Sequence, residues 1–300
     1  MVMPNFLVVG AAKSATTAMN NYLSQHPEIF MSPVKEPRFF SYAGLELDMN
    51  HPVLKNGTIT SLEQYEKLFD GVKGEKAIGE ASPSYLHNER APKNIKKYVP
   101  EIKMIAILRN PAERAFSHFL HFIKCGFEHE LNFEQALTNL ELSKNGWRYR
   151  KDYMTFGFYG EQLSRYYDLF SREQIKVLIY DDFKDSPMDI IREVFQFLEV
   201  DSGFKPDMAI KHNKSGIPKH AFLHKLLSNR QLVNTLGAPL KLMLPKHFRR
   251  QALERVKNRN LVKPELEQKI RNKLIEIYRQ DIEILEGIIG RDLSSWYAKT

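Results

Sequence analysis

The stretch FLVVGAAKSATTAMNNYL, near the start of the chain, contains residue types that together could hold an anion. Its apolar run Phe6–Val9 predicts a buried strand, and a helical pattern follows from Thr16. A helix that begins directly after a strand and a tight turn leaves unpaired N–H groups at its N-terminus, where the helix dipole also attracts anions. Lys13 adds a full positive charge, and Ser14, Thr16 and Thr17 add hydroxyl donors. The stretch therefore predicts a phosphate-binding turn.

The turn differs from the Walker A loop, GxxxxGK[ST], in which a second glycine stands immediately before the lysine. Here Lys13 comes three residues after Gly10, and Ala12 takes the place of the second glycine. This loop is too short to wrap a nucleoside triphosphate in the usual way. The later run KVLIYDDF is an apolar strand that ends in an acid, as a Walker B strand does. A P-loop kinase that uses ATP and magnesium therefore stays open as an alternative.

A second strand and helix, in IKMIAILRNPAERAFSHFLHF, supply another set of phosphate ligands. Arg109 stands at the predicted end of the strand, a helix led by Pro111 follows, and Ser117 comes eight residues after Arg109. The guanidinium of an arginine can hold a phosphate through two parallel hydrogen bonds. Ser117 lies about two helical turns further along, on an adjacent face. This segment predicts a second phosphate position.

Both segments resemble the donor site of the sulfotransferases that use 3′-phosphoadenosine 5′-phosphosulfate (PAPS). GxxKSxTT is similar to the segment that grips the 5′-phosphosulfate, and the segment from Arg109 to Ser117 is similar to the one that holds the ribose 3′-phosphate. NKSGIPK looks like the loop that closes over that 3′-phosphate. The resemblance implies these donor-binding residues: Ala12, Lys13, Ser14, Ala15, Thr16, Thr17, Arg109, Ser117, Tyr159, Lys214 and Lys219.

The resemblance also implies how the donor reacts. Lys13 would be a catalytic residue that contacts the oxygen between phosphorus and sulfur, helped by Thr16 and Thr17. Sulfuryl transfer resembles phosphoryl transfer, in which positioning and charge stabilisation supply most of the catalysis. Because the transferred group carries less charge than a phosphoryl group, a lysine and helix N–H groups are enough to stabilise the leaving phosphate. We therefore expect no metal ion.

The segment KEPRFFS resembles the acceptor-side strip of the heparan sulfate and related carbohydrate sulfotransferases, and GEASPSYL resembles their next strand-end segment. Glu36 matches the general base of that branch, which makes it the second catalytic residue, although it could also be a simple ion-pair partner of Lys35 or Arg38. The implied acceptor-binding residues are Lys35, Arg38, Ser82 and Tyr85. His87, just after that segment, is a further candidate for the acceptor pocket, with a surface role as the alternative. Arg38 stands where some glucosaminyl-directed members carry histidine. The implied acceptor is a hydroxyl of a carbohydrate or a glycolipid.

Ala15 is a departure from the family pattern, which usually has glycine at this position. Glycine adopts positive φ angles without a steric penalty, whereas alanine does not. The loop must therefore either avoid a positive φ at Ala15 or accept backbone strain there.

The elements that position these residues alternate between strand and helix. This alternation predicts an α/β fold, a three-layer sandwich with a mostly parallel central sheet, a P-loop-like turn and a helical C-terminal part without strands beyond residue 205. Ligands of such sheets bind at the carboxyl ends of the strands. We expect one domain over residues 1–300, because no Pro/Gly/Ser-rich linker divides the chain. The predicted strands are Phe6–Val9, Ala77–Gly79, Ile102–Leu108 and Ile175–Tyr180, and the predicted helices include Thr16–Gln25, Pro111–Cys125, Phe133–Leu140, Glu161–Phe170, Met188–Leu198 and Pro264–Ile289.

Charge is distributed unevenly along the chain. Residues 211–263 contain thirteen Lys and Arg and one acid, a net charge of +12, whereas the rest of the chain carries a net charge of −4. Such a segment predicts contact with an anionic polymer or a membrane surface. A solvated helical face and a non-enzymatic polyanion-binding protein are the alternatives. No nucleic-acid partner is expected, because no recognisable nucleic-acid-binding motif is present.

Composition and hydropathy indicate a location. The chain has a single cysteine, which suits a reducing compartment, and no apolar stretch approaches the roughly 20 residues that span a bilayer. We therefore expect a bacterial cytoplasmic enzyme, with peripheral binding to the inner face of the membrane as an option. Because dimers are common in the class, a homodimer is a further option.

Overall fold

The computed structural model describes residues 2–46, 57–138, 153–209, 216–218, 261–262 and 264–298. The chain divides into two compact units, and each unit is assembled from separate stretches of sequence. The first comprises Met1–Arg114, Thr155–His212 and Asn272–Thr300, and the second comprises Ala115–Met154 and Asn213–Arg271.

A five-stranded parallel sheet lies in the first unit. Its strands are β1 (Phe6–Gly10), β2 (Ile29–Met31), β3 (Ala77–Ala81), β4 (Lys103–Leu108) and β5 (Ile175–Ile179). The spatial order is β2-β3-β1-β4-β5, and every neighbouring pair is parallel. This sheet confirms the predicted α/β class with a mostly parallel sheet. Since β1 lies between β3 and β4, the carboxyl ends of these three strands meet at one edge, where the predicted site residues follow them.

The described part of the chain also contains α-helices. They are α1 (Thr16–Leu23), α2 (Phe39–Tyr42), α3 (Leu62–Glu66), α4 (Ala91–Tyr98), α5 (Pro111–Cys125), α6 (Phe133–Thr138), α7 (Tyr159–Tyr167), α8 (Tyr180–Asp185), α9 (Pro187–Phe197) and α10 (Gln268–Ile289). Apolar side chains of α1, α8 and α9 pack against β1, β4 and β5 in one buried cluster that includes Met19, Phe183 and Val194. Burial of both sheet faces explains why the strands read as continuous apolar runs.

A second apolar cluster in the first unit is aromatic. Phe39 and Phe40 of α2 contact Tyr65 of α3, with ring centroids 4.4 and 5.3 Å apart, and Phe40 also contacts Tyr85 after β3. All four rings are fully buried. Such rings contribute packing energy together with specific edge and face geometry. The cluster fixes α2 next to the end of β3.

Element boundaries differ from the sequence prediction at several places. The strand β2 was missed, because three residues are too short a run to show periodicity. The expectation of no strand beyond residue 205 is wrong, since β6 (Ile217–Pro218) pairs antiparallel with β7 (Leu261–Val262). The predicted helix from Pro264 begins only at Gln268 but ends at Ile289 as expected, followed by Gly290 with a φ of 63°.

The second unit has a polar contact inside an aromatic cluster. The Tyr153 hydroxyl donates to Glu128 Oε2 over 2.8 Å, and Glu128 Oε1 accepts from the backbone N–H groups of His129 and Glu130. Phe119 and Phe133 pack near the same tyrosine. Most of the basic segment 211–263 lies outside the described residues, which include only 216–218 and 261–262 of it.

Candidate functional site

The phosphate turn, which we define as Gly10–Thr17, leaves the sheet at the end of β1. The Ala11 N–H donates to the Ile107 carbonyl of β4 over 2.8 Å, and the Ser14 N–H donates to the Ala11 carbonyl over 3.2 Å. A Cβ on Gly10 would lie 2.6 Å from the Leu86 side chain, so only glycine fits at this position. The turn leads into α1, whose first N–H groups have no partner within the helix.

Two residues of the phosphate turn adopt left-handed backbone conformations without being glycine. Lys13 has a φ of 73° and Ala15 has a φ of 66°, and Ala15 is the N-cap of α1 without a side-chain hydrogen bond. The loop therefore accepts a positive φ at Ala15, which answers the question raised by the missing glycine. A left-handed conformation costs an L-residue about 1–2 kcal/mol. Strain of this kind concentrates at functional sites.

Buried hydroxyls without partners lie at the same turn. Ser14 is fully buried, and neither its Oγ nor the Tyr159 hydroxyl has a hydrogen-bond partner among the described residues. Burial raises the pKa of Tyr159 to about 12, although the Arg114 charge and the neighbouring Ser14 hydroxyl act in the opposite direction. Buried polar groups are nearly always satisfied, so unsatisfied ones call for a ligand or a water. These hydroxyls fit an anion that would accept their hydrogen bonds.

Arg109 follows β4 and is engaged by a neighbouring acid. Its NH2 and Nε groups donate to Glu113 Oε2 over 2.9 and 3.3 Å, and its guanidinium lies 4.7 Å from the Tyr180 ring centroid. The side chain is only 14% exposed. Glu113 was not predicted to take part in the site. Ser117 is a half-buried residue of α5 in the second unit.

The acceptor strip, which we define as Lys35–Ser41, is linked directly to the phosphate turn. Lys35 Nζ donates to Thr17 Oγ1 over 2.6 Å and lies 3.8 Å from Glu36 Oε1. Arg38 NH2 donates to Glu36 Oε2 over 2.7 Å. Burial lowers the pKa of Lys35. Glu36 thus forms ion pairs with both Lys35 and Arg38, as expected if it is a simple ion-pair partner. Its carboxylate is nevertheless one-third exposed, so an acceptor could reach it.

The strip turns sharply twice and is tied to β3. Glu36 and Arg38 have φ angles of 57° and 56°, so both lie in the left-handed region. The Glu36 N–H donates to the Ala81 carbonyl over 3.2 Å, and the Arg38 N–H donates to Ser82 Oγ over 3.1 Å. These bonds hold the Glu36 side chain at the carboxyl end of the sheet.

Ser82 and Tyr85 are fully buried next to the strip. Their role in acceptor binding stays a prediction. His87 is partly buried, and its ring stacks on Phe156 with centroids 3.7 Å apart. Burial, followed by the charges of Arg114, Arg165 and Arg38, lowers the pKa of His87 to about 3. His87 is therefore neutral at physiological pH, and the charges of three arginines act on it.

Not all predicted residues can be located, and some site residues were missed. Lys214 and Lys219 lie outside the described residues. Glu80, Arg114 and Arg165 had not been singled out. A charged residue inside an otherwise apolar strand or helix face was the available signal for Glu80 and Arg114, since such residues are almost never buried without a partner. Among the described residues, no group of three or more His, Cys, Asp or Glu could hold a metal ion.

Comparison with protein families matches residues 3–285 to the family described as "Sulfotransferase domain". The chain belongs to the sulfotransferase family. The crystal structure of a sulfotransferase from Alicyclobacillus acidocaldarius is 30% identical, with a TM-score of 0.74 and coverage of 99% of this chain and 100% of that one. This likeness agrees with the α/β fold described above.

Two curated relatives in the sulfotransferase family are larger proteins. Membrane-associated sulfotransferase kil1 of Dictyostelium discoideum is 26% identical and covers 80% of this chain and 67% of its own length. Bifunctional heparan sulfate N-deacetylase/N-sulfotransferase 4 of Mus musculus is 29% identical and covers 66% of this chain. This chain corresponds to only 22% of that mouse protein. None of the described helices combines the length and apolar character needed to cross a membrane.

Proposed function

We propose that this sulfotransferase transfers a sulfuryl group from PAPS to a hydroxyl of a carbohydrate or glycolipid acceptor. The observation that carries the proposal is the 2.6 Å hydrogen bond from Lys35 to Thr17, which joins the phosphate turn to the strip bearing Glu36. A phosphate-binding turn and a carboxylate base must lie side by side for an in-line transfer between donor and acceptor. The unpartnered hydroxyls of Ser14 and Tyr159 support an anion at the turn.

On the donor side, Lys13 and the first N–H groups of α1 stabilise the phosphate that leaves. Thr16 and Thr17 add hydroxyl donors, and Ala12, Ser14 and Ala15 contribute the backbone of the turn. Arg109, Ser117, Lys214 and Lys219 are proposed for the 3′-phosphate and Tyr159 for the nucleotide. Oriented N–H dipoles and a fixed ammonium stabilise developing charge without reorganisation during the reaction.

On the acceptor side, Glu36 takes the proton of the acceptor hydroxyl as its oxygen forms the new bond to sulfur. The bond between sulfur and the bridging oxygen breaks, and the electron pair stays on the phosphate that Lys13 stabilises. Lys35 and Arg38 hold the Glu36 carboxylate in place through their ion pairs. A base in this position must lie within hydrogen-bond distance of the acceptor hydroxyl.

The acceptor class is supported by the named relatives and by the charge around His87. The mouse relatives include "Carbohydrate sulfotransferase 15", which is 25% identical over 66% of this chain. Arg38, Arg114 and Arg165 make the surroundings of His87 cationic. Cationic side chains suit an acceptor that carries carboxylates or sulfates near the reacting hydroxyl.

We also propose that residues 1–300 act as one sulfotransferase domain in the cytoplasm of a bacterium. The family match from residue 3 to 285 extends over parts of both units, which supports a single domain. The single cysteine supports a reducing compartment. The +12 segment supports peripheral binding to an anionic membrane surface or polymer, and a homodimer stays a proposal.

The deciding experiment is a thermal melt in EDTA with no ligand, with adenosine 3′,5′-bisphosphate or with AMP. A ligand at about 100 times its dissociation constant adds roughly 2.7 kcal/mol to the stability of the folded state. We expect stabilisation by the bisphosphate and not by AMP, and its loss in Lys13→Ala and Arg109→Ala.

Matched controls are Lys67→Ala and Arg279→Ala, two exposed basic residues that also form ion pairs. Both should retain the stabilisation by the bisphosphate. A separate melt without EDTA uses ATP and magnesium. Stabilisation in that melt, and none by the bisphosphate, would support the kinase alternative and overturn the proposal.

A further inference from the structure

A buried carboxyl group lies next to the acceptor strip and has no part in the chemistry proposed above. Glu80 of β3 is fully buried, and its Oε1 accepts hydrogen bonds from the Tyr85 hydroxyl over 2.5 Å and the Tyr65 hydroxyl over 3.3 Å. Its Oε2 has no hydrogen-bond partner among the described residues. A buried carboxylate is costly unless it is paired, so an acid at this position indicates a role beyond packing.

One route of hydrogen bonds runs from Glu80 to α2. The Phe40 N–H donates to the Tyr85 hydroxyl oxygen over 3.4 Å, and that hydroxyl donates its own hydrogen to Glu80. A hydroxyl that accepts one hydrogen bond and donates another is polarised by both. Negative charge on Glu80 therefore strengthens the bond that holds the first turn of α2.

A second route runs from Glu80 to the turn before α2. The Arg38 N–H donates to Ser82 Oγ over 3.1 Å, and the nearby Ser82 hydroxyl acts to lower the pKa of the Glu80 carboxyl. Glu80 thus reaches two backbone amides of the acceptor strip, two residues apart, through two different hydroxyls. Both routes use side chains that are fully buried.

The strip needs such support because its backbone is strained. Glu36 and Arg38 both have left-handed φ angles without being glycine. A residue in this region persists only when the surrounding structure holds it there. The two hydroxyl routes end at Arg38 and at Phe40, which lie inside and just after the strained turn.

We propose that Glu80 is a positioning residue for the acceptor site, and that it holds the turn presenting Glu36 through Tyr85 and Ser82. The proposal deepens the proposed function and rests on it for the role of Glu36 as base. The hold is strongest when Glu80 is ionised, since a carboxylate accepts hydrogen bonds from hydroxyls more strongly than a neutral carboxyl group.

The ionisation of Glu80 falls in the physiological range. Burial raises the pKa of Glu80 to about 7, against the hydrogen bonds of Tyr85, Ser82 and Tyr65, and the Glu36 charge raises it further. The groups that face Glu80 are Tyr65 from α3, Tyr85 and Ser82 from the segment after β3, and Glu36 from the strip. The hold on the strip should therefore weaken as the pH falls through about 7.

The first test follows the Phe40 amide by NMR in protein labelled with ¹⁵N-phenylalanine, with Phe40→Leu for assignment. We expect its shift to titrate with a midpoint near pH 7 in the wild type and to lose this titration in Glu80→Gln. Tyr85→Phe, which removes one hydroxyl and leaves the carboxyl, should also abolish it if Glu80→Gln does not fold. Glu63→Gln, an exposed glutamate on α3, is the matched control.

A constant chemical shift of the Phe40 amide between pH 5.5 and 8.5 in the wild type, or the same titration in Glu80→Gln, would overturn the proposal.

The second test measures release of adenosine 3′,5′-bisphosphate from PAPS with desulfated heparan sulfate as acceptor. Misplacement of a catalytic group can cost up to about 100-fold, so kcat should fall by about tenfold or more in Glu80→Gln with KM for PAPS nearly unchanged.

The wild-type pH profile of kcat should show an acid limb near pH 7 that Glu80→Gln lacks, and an identical limb in both proteins would contradict the proposal. Thermal stabilisation by adenosine 3′,5′-bisphosphate distinguishes a failure of the proposed function from a failure of the positioning role of Glu80. Its absence from the wild type would overturn the proposed function, whereas the Phe40 titration still decides whether Glu80 holds the strip.

Discussion

The phosphate turn and the acceptor strip face each other across one hydrogen bond but satisfy their polar groups in different ways. Each contains two residues other than glycine in the left-handed conformation, Lys13 and Ala15 in the turn and Glu36 and Arg38 in the strip. Among the described residues, the Ser14 hydroxyl of the turn and the Ser41 hydroxyl of the strip are both buried without a partner. The difference lies in the charged groups, because Lys35, Glu36 and Arg38 of the strip are paired with one another.

This difference indicates how the phosphate turn and the acceptor strip are arranged before their ligands bind. Donors held rigidly and left unpaired are ready for an anion and need no rearrangement when it binds. A carboxylate that already has two cationic partners must share them when an acceptor hydroxyl arrives. The strip therefore depends on its anchors to β3, whereas the turn depends on its backbone bonds to β4.

The largest expected effect comes from a substitution that changes the acceptor strip and leaves the phosphate turn intact. Glu36→Gln should lower kcat by about 10²- to 10⁴-fold, because it removes the proposed general base. Stabilisation by adenosine 3′,5′-bisphosphate in a thermal melt should stay unchanged, because the phosphate turn is intact. The measurements are the rate of bisphosphate release from PAPS and the melting temperature.

Glu63→Gln is the control for this substitution, and its activity should equal that of the wild type. Unchanged kcat in Glu36→Gln would reduce Glu36 to an ion-pair partner of Lys35 and Arg38.

The next effect concerns the cost in folding free energy of keeping the buried Glu80 carboxyl ionised. Glu80 has its folded-state pKa raised from 4.5 to about 7, so its ionised form disfavours the folded state. The cost is absent below about pH 4.5, grows as the pH rises to about 7 and then stays constant, at on the order of 3 kcal/mol. Urea unfolding should therefore show Glu80→Gln gaining stability relative to the wild type between pH 5 and pH 8. An equal difference at both pH values would contradict this cost.

A smaller effect tests strain in the turn. Ala15→Gly should raise the free energy of unfolding by about 1 kcal/mol, because glycine adopts the left-handed conformation without a penalty. Ala18→Gly, in the interior of α1, should lower it by about 1 kcal/mol. Urea unfolding of both variants provides the comparison, and destabilisation of similar size in both would show that Ala15 is not strained.

The smallest effect concerns the ion pair that occupies Arg109. Glu113→Gln should tighten binding of adenosine 3′,5′-bisphosphate by about two- to threefold, since an i,i+4 ion pair on a helix is worth only about 0.3–0.5 kcal/mol. Isothermal titration calorimetry measures it. Glu276→Gln, which breaks the exposed pair with Arg279, should leave the affinity unchanged. Weaker binding in Glu113→Gln would mean that Glu113 orients Arg109 instead of competing for it.

The sheet could be predicted well because its strands are buried on both faces. Continuous apolar runs marked β1, β3, β4 and β5 to within two residues at each end. The strand β2 carries no such mark, since Ile29–Met31 is three residues long. Its place at the edge of the sheet depends on pairing with β3, which is a tertiary contact that local pattern does not encode.

Site residues could be predicted from the sequence where they belong to a motif. They were harder to predict where their role depends on tertiary contacts. Lys13, Glu36 and Arg109 all follow from recognisable segments. The relation of Glu80 to the strip depends on Tyr85 and Ser82, and no spacing rule in the sequence reveals hydrogen bonds from side chain to backbone. The positive φ of Ala15 was one of two stated options, and only the backbone conformation decides between them.

The Lys35 ammonium touches the Thr17 hydroxyl and also lies beside the Glu36 carboxylate, so it contacts both the proposed donor site and the proposed acceptor site. Any donor that draws this ammonium toward the turn changes the charge around the base before an acceptor arrives. Thermodynamic linkage then requires the acceptor to alter the affinity for the donor by the same factor. The shared lysine therefore predicts that donor and acceptor binding are coupled, by the same factor whichever substrate binds first.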